Sequence, residues 1–248
     1  MVSNKSQKAI SSLLILIFVL ATVIVAVGAV AIYLWVIPGE LISEELEYTD
    51  FTAVDISSAF EVEITQSNSY SILITADEKI FDNIEVDKSG NTLSIGVETG
   101  IVISLMRLKV EITMPNLTNL VLSGASRGTI EGFNSSVSFA VQLSGASRLE
   151  MQDINVGDID IELSGASTLI AEGGGSDLVS IISGASRLDL TDFPIDNGDL
   201  NISGASQVTV NLVGTLDAVV DGASTLYYIG EPTMGDIDIS GSSTINQK

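Results

Sequence analysis

Five copies of the tetrapeptide Ser-Gly-Ala-Ser recur down the second half of the chain, beginning at Ser123, Ser144, Ser164, Ser183 and Ser203. Near-copies begin at Asp221 and Ser240, and the intervals are 21, 20, 19, 20, 18 and 19 residues. A period near twenty means one small unit stacked on the next, so each unit meets mainly its neighbours. The glycine column Gly124, Gly145, Gly165, Gly184, Gly204, Gly222 and Gly241 is unbroken. Glycine opens the backbone angles that a sharp bend needs, so these seven residues are the expected structural corners. The alanine reads as small enough for a place where coils crowd, and the last serine as a hydroxyl ladder from coil to coil.

The flanks of the corners read as strands. The residue before each tetrapeptide is aliphatic, from Leu122 and Leu143 to Val220 and Ile239. Two residues beyond it stand Leu149, Leu169, Leu188, Val208, Leu226 and Ile245, with Gly128 interrupting the column. Polar residues fill the positions between, the period of a strand with one buried face. At about 3.3 Å per residue, twenty residues make one turn of a flattened or triangular coil, and equivalent residues stack about 4.8 Å apart. Small drifts in spacing fall in stretches read as turns, residues 193–198 and the glycine-rich 173–178. A leucine-rich horseshoe lacks its asparagine here, and a propeller blade needs about twice the length. The expected fold is all-β, a right-handed parallel β-helix of about twenty residues per coil.

The pattern reaches back to Ile56-Ser57-Ser58-Ala59-Phe60, with Phe60 in place of the last serine. Alternating runs follow at 70–76, 92–97 and 108–114, the second preceded by the turn Lys88-Ser89-Gly90-Asn91. Residues 50–116 therefore read as irregular first coils that cap one end, and 117–248 as regular coils. The stretch 56–64, the Lys88 turn, the step Met114-Pro115-Asn116-Leu117 and the following repeats resemble the head GIN domain family of putative auto-transporter adhesins. That resemblance, over roughly 54–248, implies a right-handed β-helix and supplies no catalytic residues.

Residues 13–37 are an uncharged apolar run, long enough to span a bilayer core of about 30 Å. Lys5 and Lys8 precede it and Glu40, Glu44, Glu45 and Glu47 follow. The expectation is a cytoplasmic tail at 1–12, an uncleaved signal-anchor helix at 13–37, an acidic linker at 38–49, and a domain outside the cell membrane. Cleavage near Ala29-Val30-Ala31 is the competing reading, but the apolar run continues past it to Ile37. With no cysteine, disulfides are excluded. All 32 acidic residues follow the apolar run, against eight of the ten basic ones, a net charge of −24. Such a surface repels nucleic acid and anionic lipid.

Two columns carry candidate binding chemistry. Asp160, Asp199, Asp217 and Asp236 stand four residues before a corner, and stacked carboxylates make them candidate Ca²⁺ ligands. The alternative is a solvated turn column. Arg127, Arg148 and Arg187 follow the corner, either as a stripe for acidic sugars or as partners of local acids such as Glu150 and Asp189. The chain has no histidine, so the repeated serines lack an ordinary base to activate them, and ordinary zinc sites are excluded. The reading is a non-enzymatic envelope module without a cofactor, anchored in the membrane and directed at envelope polysaccharide or a partner protein. An accessory of an envelope-stress sensing system is one alternative. A polysaccharide-active enzyme is the other, set against only 13 aromatic residues and the short inter-strand turns.

Overall fold

The computed structural model describes residues 39–98, 100 and 107–248. The tail at 1–12, the apolar run 13–37 and residues 101–106 lie outside the described residues. Among the described residues, no helix is long and apolar enough to cross a membrane.

In chain order, the first strands are β1 (Leu41–Leu46), β2 (Ala53–Ile56), β3 (Glu61–Gln66) and β4 (Ser71–Asp77). A single helical turn, α1 (Glu78–Phe81), precedes β5 (Ile84–Ser89), β6 (Thr92–Val97) and β7 (Leu108–Met114). Next come β8 (Asn119–Leu122), β9 (Arg127–Glu131), β10 (Phe139–Leu143), β11 (Arg148–Asn155), β12 (Ile159–Leu163) and β13 (Thr168–Gly174). The chain continues through β14 (Leu178–Ile182), β15 (Arg187–Ile195), β16 (Gly198–Ile202) and β17 (Gln207–Leu212). It ends with β18 (Thr215–Val220), β19 (Thr225–Ile229), β20 (Thr233–Ile239) and β21 (Thr244–Gln247).

Each tetrapeptide joins a strand of one sheet to a strand of the other. Strands β8 through β20, taken alternately, pair parallel in a ten-stranded sheet, and β9 through β21 do so in an eleven-stranded sheet. The result is a two-sheeted β-solenoid whose seven repeated corners bound six turns. Alternation sets the phase: in β12, Ile159, Ile161 and Leu163 point inward while Asp160 and Glu162 face solvent. Leu122, Leu143, Leu163, Ile182, Ile202 and Val220 are all fully buried, opposite Leu149, Leu169, Leu188, Val208 and Leu226 of the other sheet. Gly128 interrupts its column because the space is already filled. A Cβ there would lie 2.8 Å from Leu122 Cδ1 and 2.9 Å from Leu149 Cδ1.

The first rungs are interleaved. Strands β2 and β3 pair parallel with β8 and β9 on one side, and with β6 and β7 on the other. The chain thus lays one rung, passes beneath it, and then rises over it to begin the regular coils. Antiparallel strands finish this end: β5 on β6, and β4 on β7 with β1 outermost. The stretch 38–49, expected as an acidic linker, therefore contributes strand β1. Glu44 and Glu45 on that outermost strand discourage further pairing. Fully buried Asp77 fastens the entry, accepting the Gly39 amide at 2.5 Å and the Lys79 amide at 3.0 Å.

The two stretches read as turns are partly strand. In β15, Phe193 and Ile195 stay buried, and a register shift between Asp189 and Pro194 absorbs the spacing change, which suits a residue without an amide donor. Gly173 and Gly174 belong to β13. Gly173 has φ 140°, and a Cβ on it would collide with the Ile154 carbonyl, so close backbone approach selects the glycine there.

Candidate functional site

The corners are the best-defined repeated feature. All seven corner glycines have φ between 69° and 82°, a region that side-chain-bearing residues rarely enter. Ser58, with φ 80°, takes the same place in the first rung, and its hydroxyl accepts the Val97 amide at 3.2 Å. The crowding falls on the glycines. From Gly145 onward, each one's missing Cβ would strike the carbonyl oxygen of the glycine one coil earlier. The neighbouring alanines, including Ala125, Ala146, Ala166, Ala185 and Ala205, face solvent, contrary to the expectation that they occupy the crowded place.

The last serine turns inward, and its hydroxyl mostly closes its own corner. Ser126, Ser147, Ser167 and Ser206 donate to the carbonyl three residues back, on Ser123, Ser144, Ser164 and Ser203, at 2.8–2.9 Å. This local bond satisfies a buried hydroxyl where the chain bends. A coil-to-coil contact appears near the end, where Ser224 Oγ accepts the Ser206 amide at 3.3 Å. The expected hydroxyl ladder is thus largely a set of separate corner clips.

The aspartate column stands on the outer face of the ten-stranded sheet. Asp199 and Asp217 are register partners, while Val179 separates Asp199 from Asp160. Asp217 Oδ1 accepts the Asp236 amide at 2.6 Å, so one carboxylate of the set is engaged by backbone. Among the described residues, no three acidic side chains converge as ligands of one metal ion would.

The arginine column lies on the outer face of the eleven-stranded sheet. Arg127, Arg148, Thr168, Arg187, Gln207, Thr225 and Thr244 are successive register partners. Arg148 donates to Glu150 at 2.8 Å, and Arg187 to both Asp189 and Gln207 at 2.8 Å. Burial pushes the Asp189 carboxyl up, but hydrogen bonds from Thr191 and Arg187 outweigh it and hold the group below its usual range. Two strands beyond Arg127, on β7, Lys109 bridges Glu63 at 3.0 Å and Glu111 at 3.1 Å, and these carboxylates raise its pKa.

Around the first corners this face forms a groove of about 630 Å³. Arg107, Lys109, Arg127 and Arg148 line it, with Glu61, Glu63 and Glu150. Arg107 and Lys109 escaped the sequence reading because no corner motif marks β7. Only the interleaving places Lys109 beside Glu61, and Glu61 beside Arg127. The signals that point to Lys109 and Glu61 are the alternation within 108–114, which turns Lys109 outward, and the Ser58 corner, which puts Glu61 in register with Arg127.

A family model described as "Putative auto-transporter adhesin, head GIN domain" matches residues 50–232. The chain belongs to this family. The match begins just before β2 and ends just before β20, so it covers the interleaved rungs together with most of the repeat coils. The head GIN domain chain is similar in fold to a putative adhesin from Bacteroides fragilis, with a TM-score of 0.77 and 20% identity over 84% of this chain and 97% of that one. A putative adhesin from Parabacteroides distasonis gives 0.69 at 14% identity, over 85% and 98% of the two chains. A second protein from that organism, named a putative lipid binding protein, gives 0.56 at 15% identity, over 85% and 97%. At these identities the likeness is one of fold. No curated protein matches the chain.

Proposed function

We propose that this head GIN domain is a non-enzymatic binding module of the cell envelope, held outside the membrane by a helix at residues 13–37. In this reading the solenoid winds right-handed and presents the outer face of its eleven-stranded sheet to envelope polysaccharide. The observation that carries the reading is the outward column from Arg127 to Thr244. Seven consecutive rungs carry no carboxylate there, although the chain from residue 38 onward has a net charge of −24. A long row of arginine, threonine and glutamine on a stiff stack of short turns suits contact with an extended polymer. The adhesin description of the family supports the same reading, as does the placement of Lys5 and Lys8 before the apolar run with glutamates after it.

Its test is retention of the full-length chain, in neutral detergent, on isolated envelope polysaccharide. Saturable binding supports the proposal. Failure to bind any envelope fraction overturns it.

A further inference from the structure

The groove near the first corners holds two arginines that the fold does not use. Among the described residues, the side chains of Arg107 and Arg127 make no ion pair and no hydrogen bond, and both are exposed. The other cations of the groove are committed: Lys109 to Glu63 and Glu111, Arg148 to Glu150. Glu61 stands in register between Lys109 and Arg127 without an ion pair, so it is the one free acid facing the free arginines. Thus four of the eight basic residues that follow the apolar run gather around one concavity. An unpaired guanidinium keeps its planar fork of donors available, and that fork matches a carboxylate with two parallel bonds.

We infer that this groove binds the carboxylates of an acidic polysaccharide, with Arg127 and Arg107 as the receiving groups and the row from Thr168 to Thr244 bearing the following sugars. The inference rests on the binding-module reading above and assigns its ligand class. Sparse charge separated by neutral hydroxyl-rich stretches is what the row accommodates, since beyond Arg148 only Arg187 is charged and that arginine is already paired. A densely charged nucleic acid, or an anionic bilayer, meets the net negative charge of the whole solenoid before it meets two arginines.

The experiment titrates the full-length chain in neutral detergent, at low salt, with a fluorescent oligogalacturonate that is methyl-esterified on most of its sugars, so that its free carboxylates are sparse. The same oligomer with every carboxyl methyl-esterified serves as the comparison. The free acid should bind at least about tenfold tighter than the ester, and Arg127→Ala should weaken it about tenfold, the scale of one charged hydrogen-bonding group. Glu61→Gln should tighten binding, because it removes the free acid beside Arg127. Lys88→Ala, an equal charge change on the other sheet, should leave the affinity within about twofold. Equal affinity for acid and ester overturns the inference, as does indifference to both Arg127→Ala and Glu61→Gln. Tighter binding to phosphatidylglycerol in mixed micelles of the same detergent than to the oligomer overturns it in favour of a membrane surface. If wild type and Arg127→Ala are retained equally on envelope polysaccharide, the groove is refuted and the binding module stands. If the wild type is not retained, both fall.

Discussion

The amide of Ala185 donates to the carbonyl oxygen of Gly165 across 2.7 Å, and that same oxygen occupies the space a side chain on Gly184 would need. One atom therefore ties neighbouring coils together and forbids a Cβ between them. Gly184→Val should cost about 2–4 kcal/mol, combining a backbone conformation unfavourable to side chains with a steric collision. Arg187→Ala, three residues on, removes a side chain that is itself 49% exposed and leaves Asp189 its hydrogen bonds from Thr191, so it should cost less than about 1 kcal/mol. Denaturant unfolding of both variants checks the contrast. Equal, small effects would refute the corner's role.

The corner clips differ in worth. Ser167 donates to the Ser164 carbonyl at 2.8 Å, whereas the Ser186 hydroxyl is buried without a partner among the described residues. Ser167→Ala should therefore destabilise by about 0.5–1.5 kcal/mol. Ser186→Ala should be neutral or stabilising. Thermal melts of the two variants, compared at equal concentration, decide it.

Strand β14 contains a second buried hydroxyl without a partner among the described residues, Ser180, in a column between Ile161 and Leu200. Replacing Ser180 with alanine should raise stability by about 1 kcal/mol, since no bond is lost and an unsatisfied group is removed. A lower unfolding midpoint for this variant would show that the hydroxyl has a partner in solution.

That strand also marks where the sequence was legible and where it misled. Val179 and Ile181 are 49% and 55% exposed while Ser180 points into the core, so local hydrophobicity alone would choose the opposite face. The fixed distance from Ile182 to the corner at Gly184 gave the right phase, because a slip of one residue would reverse every side chain. The regular coils were readable for that reason: glycine, serine and aliphatic columns each have one geometric cause. Interleaving of β2 and β3 between β6–β7 and β8–β9 was not, since nothing local in a strand names its partner. Arg107 and Lys109 were missed with it. The exposed alanines show the converse, a regularly repeated small residue whose smallness is not demanded by packing.

Asp189 supplies a pH signature. Its carboxyl sits below the usual range in the folded protein, so its stabilising contribution is complete above the unfolded-state value of about 3.9 and disappears as pH falls through the folded value. The stability difference between wild type and Asp189→Asn should stay constant from neutrality to about pH 5, then shrink on further acidification. Urea midpoints measured at pH 7, 5, 4 and 3 would reveal it. A difference that does not narrow would show that charge plays no part.

For the proposed orientation, protease added to intact cells should remove the solenoid and leave a short membrane fragment ending near residue 38. Mature protein beginning at Ile32 would replace the anchor with a cleaved leader. Full protection of the chain would reverse the topology.

The interleaved first rungs also govern how the molecule is assembled. Strand β3 is synthesised early, yet its neighbours β7 and β9 begin 47 and 66 residues later, at Leu108 and Arg127. An emerging chain cannot close this end until most of its first half has left the ribosome, whereas each later coil lies down on a template already in place. The corner repeat can therefore gain or lose a unit with little disturbance, so the length of the proposed binding face is an adjustable quantity measured in single turns. The interlocked beginning is a fixed starter that has to be made whole.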